Sequence, residues 1–469
     1  MTRNRTGTSF LALAAAGLVA AAAVAAAPAP ASAQSGAEID YETYTLDNGL
    51  RVILAEDHST PAVAVDVWYH VGSRHDPENR SGFAHLFEHM MFQGSQHVGH
   101  TEDTEHLVMV EKVGGNANGT TGDDRTNYFQ TVPANRVNMA LWLEADRMRF
   151  LEITQDKFEN QRDVVKEERR QNVDNQPYGL AFRKSLILPY DEEKCFGYSR
   201  MGIGSMEDLN SASLDDVQAF YDRHYAPNNA VLTVAGDFDP ETVKELIERY
   251  FAGAEASDVP PDRGCEADYD AGFRIDTIMD PNANLPAVTW TFRTPPHDHE
   301  DDPALTFLTT LLGQGESSRL HRALVRDAGA ASNVNTFYQD REGPGLVFSF
   351  ALANEGVSPD SLRSLFWQEI ERLREEPPTA EELEKAKNSF ESDQVTGRQS
   401  VLEKAETLQH FALYHDDLSE VNTALEDYMS VTSDDLQRVI DRYLTRDNLT
   451  VIVDIPSEDG DDGGEESQS

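Results

Sequence analysis

The sequence predicts an α+β protein made of two homologous layered α/β domains in tandem. Strand-like and helix-like patterns alternate along most of the 469 residues, as in mixed layered architectures. The Asp-Asp-Val-Gln that begins at Asp215 recurs 219 residues later as the Asp-Asp-Leu-Gln that begins at Asp434, and each copy leads into a β-branched strand. Residues 61–63 (Pro-Ala-Val) recur at 286–288, at an offset of 225. Two repeated segments at nearly the same offset indicate a duplicated domain of about 200 residues.

The N-terminus has the three parts of a secretory signal peptide. Arg3 and Arg5 precede an apolar stretch, residues 10–27, and residues 30–33 (Pro-Ala-Ser-Ala) offer a small-residue cleavage site. An uncleaved anchor is the alternative, but the stretch is mostly alanine and ends at an Ala-x-Ala site. We therefore expect residues 1–33 to be removed and the mature chain to be periplasmic or secreted, with no membrane span.

The composition is strongly acidic, with 83 Asp and Glu against 39 Lys and Arg and a net charge of −44. Nucleic acid is a poor partner for such a chain, because phosphates are bound by clustered basic residues and no basic run is longer than a pair. A salt-loving source and an ordinary acidic secreted protein both fit this balance. The two cysteines, Cys195 and Cys265, can pair in an oxidising compartment, and the sequence leaves their pairing open.

One short motif carries recognisable chemistry. Residues 85–89 read His-Leu-Phe-Glu-His, in a run without proline and with apolar residues at helical spacing, which predicts a helix. His85 and His89 then project from one face about 5 to 6 Å apart, a separation that suits two imidazole ligands of one zinc ion. Glu88 is the candidate general base for a metal-bound water. A helix that happens to carry two histidines is the alternative, and the apolar residues around the motif disfavour it.

This order of ligands is the inverzincin signature, and with it the chain resembles the pitrilysin family of zinc peptidases. It is most similar to the short bacterial members and to the β subunit of mitochondrial processing peptidase. The resemblance covers essentially the whole mature chain and includes a Gly-Gly turn and the strand around residues 114–129, and residues 313–320. It implies one Zn²⁺ per chain, endopeptidase activity on peptides or unfolded protein segments, and two domains that face each other around a substrate cavity.

The family supplies the third zinc ligand from a Glu in a later helix. Residues 156–172 form the corresponding predicted helix, with Glu167 and Glu168 both available. The family pattern places the ligand at Glu168, and periodicity agrees, since Glu168 shares a face with apolar residues while Glu167 lies on a more polar side. Many relatives carry a supporting acid where this chain has Gln161, so that a second carboxylate is either missing or supplied by Glu159.

The resemblance also implies substrate contacts. Asn118 lies in a stretch that resembles the edge strand on which family members bind an extended peptide; a plain Asn/Gly turn is the alternative. In the second half, relatives place an Arg and, seven residues on, a Tyr near the scissile bond. Arg326 fits the Arg, with a solvated helix residue as the alternative. The Tyr is absent, since Ser332 or Asn333 occupies its place and Tyr338 lies too far along the chain.

The domain boundaries follow from composition and from the repeat. After the leader we expect a catalytic zinc-binding domain at 34–255, a linker rich in Gly, Pro and Asp at 256–272 and a homologous metal-free domain at 273–456. The composition of residues 457–469 predicts that they form a disordered acidic tail. The helix predicted near residues 305–313 has neither His nor an acid, so the second domain cannot hold a matching metal.

Two expectations concern partners. Short bacterial members resemble half of the long single-chain enzymes, which implies either a homodimer or a heterodimer with a metal-free homologous subunit that supplies the missing Tyr. The rival function is a non-catalytic or partner-dependent subunit of an assembly similar to the processing peptidase. Such relatives have typically lost part of the metal motif, whereas this chain keeps all of it.

Overall fold

The computed structural model describes residues 38–261, 263–266, 268–415 and 417–457, and residues 38–457 belong to one compact unit. The predicted leader and all but the first residue of the predicted acidic tail lie outside the described residues. None of the described helices combines the length and the apolar character that a membrane span requires.

The first half builds a six-stranded sheet in the order β1-β2-β6-β3-β5-β4. Its strands are β1 Glu42–Thr45, β2 Arg51–Glu56, β3 Ala62–Tyr69, β4 Asn116–Thr121, β5 Thr126–Pro133 and β6 Ala230–Gly236. Strands β2 and β6 are parallel, and the other neighbours are antiparallel. Strand β4 pairs with β5 alone in this sheet and is therefore an edge strand.

The second half repeats this topology with five strands in the order β7-β11-β8-β10-β9. They are β7 Arg274–Asp280, β8 Ala287–Arg293, β9 Ala331–Gln339, β10 Leu346–Ala353 and β11 Leu449–Pro456. The parallel pair, β7 with β11, is equivalent to β2 with β6 of the first sheet, and β9 is the edge strand equivalent to β4. The prediction of two homologous layered domains is confirmed.

Helices cover both sheets. In the first half they are α1 Phe83–Met90, α2 His106–Lys112, α3 Val137–Phe150, α4 Gln155–Arg169, α5 Gly179–Ile187, α6 Met206–Ser211, α7 Leu214–His224 and α8 Pro240–Phe251. In the second half they are α9 Asp302–Gly313, α10 Pro359–Glu375, α11 Ala380–Gly397, α12 Val401–Tyr414, α13 Ala424–Ser430 and α14 Ser433–Tyr443. A π-helical turn, Arg170–Asp174, extends α4, which matches the helix predicted over 156–172.

The two halves exchange one helix each. Helix α5 packs on β8 and β11 of the second sheet, where Ala181 joins Ile278 and Ile452 in a small apolar cluster. Helix α12 packs on β3 and β6 of the first sheet, where Ala405 joins Ala64 in another cluster. Since α5 and α12 are equivalent in the repeat, the exchange is reciprocal. Separating the halves would expose both apolar faces to water.

The segment between the halves is covalently tied to the first one. The described residues among 252–272, a range that includes the predicted linker at 256–272, contain neither helix nor strand. Cys265 in this segment forms a disulfide with Cys195, and the two Cα atoms are 4.2 Å apart. The structure therefore pairs the two cysteines whose state the sequence left open.

Candidate metal centre

Helix α1 starts from a cramped turn that only glycine can form. Gly82 has φ 91° and Gly204 has φ 86°, and a Cβ on Gly82 would lie 2.7 Å from the Cα of Gly204. The buried carboxylate of Asp76 accepts hydrogen bonds from the backbone N–H groups of Gly82 at 2.6 Å and Ala84 at 2.9 Å, which satisfies donors of the first turn. Burial raises the pKa of Asp76 to about 7, although these bonds and Arg200 oppose the rise. The start of α1 is thus held rigidly.

The structure brings His85, His89 and Glu168 together at one point. Oε2 of Glu168 lies 3.3 Å from Nε2 of His89 and 3.6 Å from Nε2 of His85. Ligand atoms at tetrahedral positions about 2.0 to 2.1 Å from zinc are roughly 3.3 to 3.4 Å from one another. The three side chains therefore fit one zinc ion with little movement. They come from α1 and α4, two helices that pack against each other.

Burial and mutual attraction set the charges in this cluster. Burial lowers the pKa of His85, against the pull of the Glu168 carboxylate. Burial also opposes the charge on His89, but the hydrogen bond and the charge of Glu168 outweigh it and raise the pKa of His89. The same hydrogen bond lowers the pKa of Glu168. Glu168 is thus an ionised carboxylate between two imidazoles, and the ionised form is the one in which a carboxylate can ligate zinc.

The neighbouring carboxylates are excluded from the cluster. Glu167 points outward, and its carboxylate accepts a hydrogen bond from Arg170 at 3.0 Å. Glu159 is exposed and accepts a hydrogen bond from Gln155 at 2.8 Å, so Glu159 is not a supporting acid. Gln161 is buried, and its interaction with His89 raises the pKa of that imidazole. The polar side chain at this position is therefore an uncharged amide and not a carboxylate.

Glu88 is held against the edge strand of the first sheet. The hydroxyl of Thr121 donates a hydrogen bond of 2.6 Å to Oε2 of Glu88. Gly119 leaves room for the same side chain, because a Cβ there would lie 3.1 Å from the Cγ of Glu88. Glu88 directly precedes His89 on α1, and its carboxylate does not belong to the cluster of His85, His89 and Glu168.

The predicted substrate residues have different surroundings. Asn118 is exposed in β4, and by strand alternation its side chain lies on the sheet face opposite to that of Thr121. Arg326 lies in a π-helical turn, His321–Asp327, with 60% of its side chain exposed. It pairs with Asp327 through contacts of 2.7 and 3.1 Å. The structure brings Asn118 to the edge strand beside the cluster, but it does not bring Arg326 to the metal ligands.

Neither Ser332 nor Tyr338 takes over the role of the missing Tyr. The hydroxyl of Ser332 is within 3.3 Å of the carbonyl oxygen of Leu352. The hydroxyl of Tyr338 donates a hydrogen bond of 2.6 Å to Asp302 within the second half. Tyr338 is thus engaged elsewhere, as its distance along the chain suggested.

The sequence analysis did not predict which residues line the cavity beside His85. This cavity of about 170 Å³ is lined by Thr121 and Arg183 from the first half and by Gln339 and Arg341 from the second. The guanidinium of Arg183 on α5 interacts electrostatically with Glu168. Burial lowers the pKa of Arg183. No motif marks Arg183 or the two second-half residues, because only the packing of the halves brings them here.

One carboxylate joins the second half to this wall. Oδ2 of Asp123, in the turn after β4, accepts hydrogen bonds from Nε2 of Gln339 at 2.9 Å and pairs with Nε of Arg341 at 2.8 Å. The side chain of Arg341 is 3% exposed. The end of the edge strand is therefore anchored to the second sheet.

Comparison with known proteins places both halves in one family. Residues 51–186 match the model described as Insulinase (Peptidase family M16), and residues 211–390 match the model described as Peptidase M16 inactive domain. The zinc protease PqqE of Helicobacter pylori is 28% identical over 88% of this chain and 92% of that protein. A probable mitochondrial-processing peptidase subunit beta of Arabidopsis thaliana is 26% identical over 69% of this chain and 61% of that protein. The crystal structure of a protease from Helicobacter pylori superposes with a TM-score of 0.84 at 28% identity, covering 89% of this chain and all of that one.

Proposed function

The chain belongs to peptidase family M16, and we propose that it is a zinc-dependent endopeptidase that hydrolyses peptides or unfolded protein segments. The convergence of His85, His89 and Glu168 beside a Glu88 that is oriented by Thr121 carries this proposal. The two imidazoles and the carboxylate would hold one Zn²⁺, and the fourth position of a tetrahedral site would take water or substrate.

Zinc bound there would acidify a water molecule and polarise the scissile carbonyl. Side chains of the protein then transfer the proton of this water. Oε2 of Glu88 is occupied by the Thr121 hydroxyl, which leaves Oε1 to accept the proton of the attacking water. The protonated Glu88 subsequently delivers this proton to the leaving amine. The hydrogen bond from Thr121 restricts rotation of the carboxylate, so that the same oxygen serves both transfers.

The edge strand supports an extended substrate without strong sequence preference. The outer backbone edge of β4 pairs with no other described strand, and Glu88 lies against Gly119 and Thr121 of the same strand. A peptide that adds to β4 as a further strand would gain main-chain hydrogen bonds that do not depend on its side chains. Asn118, exposed on this strand, is the proposed side-chain contact, whereas the exposed, paired Arg326 has less support for that role.

We also propose that the mature chain acts outside the cytoplasm. The leader at 1–33 and the Cys195–Cys265 disulfide support export, since disulfides persist in oxidising compartments. The missing Tyr supports a dimer, either of two identical chains or with a metal-free homologous subunit that supplies the group. In that assembly the isolated chain would be a partner-dependent subunit.

Cleavage of a quenched fluorescent, unstructured peptide by the purified mature chain tests the proposal. Chelator-sensitive cleavage that returns with added Zn²⁺ and is lost in His85→Gln supports a metallopeptidase. Chelator-resistant cleavage that persists in His85→Gln would contradict it. A folded, zinc-loaded chain that cleaves nothing alone would favour the partner-dependent subunit.

A further inference from the structure

A second group of metal-ligating side chains lies away from His85 and His89. Ligand atoms of His297, His410 and His415 all lie within 4.8 Å of one another, as do those of His85, His89 and Glu168. His297 follows β8, His410 lies on α12, and His415 ends that helix. Their ring centroids are 4.7 to 5.9 Å apart. Three imidazoles from two segments more than 100 residues apart thus share one place.

Two of the rings face each other with the nitrogen atoms that ligate metals. Nε2 of His297 lies 2.9 Å from Nε2 of His415. Ligands of one tetrahedral zinc ion are roughly 3.3 to 3.4 Å apart, so an opening of about 0.4 Å would admit an ion between them. The third ring, His410, stands nearly perpendicular to His297, with an interplanar angle of 88°. Neutral rings without an ion would instead share one N–H···N hydrogen bond.

The opposite nitrogen of each facing ring has a carboxylate partner. Nδ1 of His297 lies 3.2 Å from Oδ2 of Asp340, and Nδ1 of His415 lies 2.8 Å from Oε2 of Glu420. Metal-binding histidines characteristically donate their second N–H to a carboxylate, which sets the tautomer that leaves Nε2 free to ligate. Both rings are therefore set up to direct Nε2 at the shared point.

The surroundings are closed on one side and open on the other. The side chains of His297 and His415 are only 6% and 11% exposed. Aromatic rings of Phe411 and Tyr414 pack against the cluster, at centroid distances of 4.3 Å from His415 and 5.2 Å from His410. All three histidines line a cavity of about 670 Å³, which offers an entry path and a place for a water ligand.

We propose that His297, His410 and His415 bind a second divalent transition-metal ion, best matched by Zn²⁺. Three imidazole ligands, two of them with carboxylate partners, suit zinc among the available divalent ions. The fourth position faces the cavity and takes water. This site is separate from the proposed catalytic centre and does not depend on it.

The position of the cluster indicates a structural role for the ion. His297 extends from the second sheet, whereas α12 lies on the first sheet through its contacts with β3 and β6. An ion held by both segments ties the exchanged helix to the sheet of its own half. Binding therefore stabilises the arrangement of the two halves around the cavity.

Zinc stoichiometry tests the site directly. The mature chain is stripped with a chelator, reloaded with Zn²⁺, freed of excess ion, and analysed for zinc per chain by mass spectrometry. We expect two equivalents in the wild type and one in His410→Gln/His415→Gln. We also expect one in His85→Gln/His89→Gln, which keeps the histidine cluster. The exposed His58 provides a control, and His58→Gln should retain two.

The two double variants separate this proposal from the catalytic one. A wild type with one equivalent and a His85→Gln/His89→Gln variant with none would overturn the second site and leave the catalytic site intact. Two equivalents in folded His410→Gln/His415→Gln would overturn it as well. If that variant does not fold, His85→Gln/His89→Gln decides alone: one equivalent with a Co²⁺ visible spectrum typical of imidazole ligation supports the site, and none refutes it.

Discussion

The hydroxyl of Thr121 donates a hydrogen bond of 2.6 Å to Oε2 of Glu88. Thr121 is the last residue of the edge strand β4, and Glu88 lies on α1, the helix that also carries His85 and His89. The proposed base is therefore oriented by the strand that is proposed to receive the peptide. Substrate that docks on β4 meets a carboxylate whose direction is already set.

Glu88→Gln should abolish cleavage while zinc stays bound. The amide cannot accept the proton of the attacking water, and loss of a general base typically lowers kcat by about 10² to 10⁴-fold. Peptide cleavage and zinc content measured on the same preparation check this. Glu159→Gln, an exposed acid on α4, is the control and should keep full activity. Normal turnover by Glu88→Gln would remove Glu88 from the role of base.

Thr121→Val should slow the chemical step without preventing substrate binding. Valine keeps the shape but removes the donor, and a hydrogen bond to a charged group contributes about 1.5 kcal/mol or more. We therefore expect kcat to fall roughly tenfold, with KM little changed. Steady-state kinetics over a pH series provide the measurement. Thr121→Ser restores the hydroxyl and should restore kcat; a Ser variant as slow as Val would argue for a packing role only.

Glu168→Gln should release the metal more readily than the matched Glu167→Gln. Glu168 contacts both histidines, whereas Glu167 is bonded to Arg170 at the surface. Loss of a ligand should weaken zinc binding by more than the roughly 10 to 100-fold that loss of a supporting group costs. Competition with a fluorescent zinc chelator measures the affinity. Equal affinities in the two variants would contradict the assignment of Glu168.

Glu382→Gln should destabilise the protein at pH 7 and lose this effect in acid. Burial opposes the charge of Glu382, but two hydrogen bonds from Arg319, at 2.8 and 3.0 Å, and one from the backbone N–H of Thr379 outweigh it and lower the pKa of Glu382 from 4.5 to about 2. The folded pKa lies below the unfolded one, so the stabilisation is complete above pH 4.5 and disappears as the pH falls towards 2. The unfolding free energy should fall by about 2 kcal/mol at pH 7.

Urea unfolding at pH 7 and at pH 3 measures this difference. The neighbouring exposed Glu381, replaced by Gln, serves as the control and should match the wild type at both values. A Glu382→Gln variant that is equally destabilised at both pH values would mean that packing, not charge, causes the loss.

Salt should stabilise the mature chain. The full sequence has a net charge of −44, and the excess of acidic residues makes the folded state repel itself. Screening shortens the Debye length from about 10 Å at 0.1 M salt to about 3 Å at 1 M. We expect the urea midpoint to rise between these two concentrations of KCl. Equal midpoints would show that charge repulsion does not destabilise the folded state, and they would weaken the hypothesis of a salt-loving source.

Short-range features of the site were predictable from the sequence. The spacing of His85, Glu88 and His89 acts within one helical turn, so their common face follows from the helical period. Glu168 required the family resemblance to find its helix, and periodicity then distinguished it from Glu167. The repeat at offsets of 219 and 225 predicted two homologous domains, because homologous segments keep their patterns of apolar residues.

Contacts between distant segments were not predictable in this way. Arg183, Gln339 and Arg341 surround the cavity beside His85 only because the halves exchange helices. The pairing of Cys195 with Cys265 likewise depends on where the segment between the halves runs. None of these residues belongs to a motif with a fixed spacing.

The sequence by itself thus determined the duplicated α+β fold, the histidine pair and the adjacent Glu88 that is the proposed base, since each rests on periodicity or spacing within one element or repeat. The tertiary structure alone decided that Glu159 stays outside the site, that Gln161 interacts with His89, and that His297, which follows β8, meets His410 and His415 at the end of α12. The physical reason is that sheet order and helix exchange set these distances, and neither leaves a periodic signal in the chain.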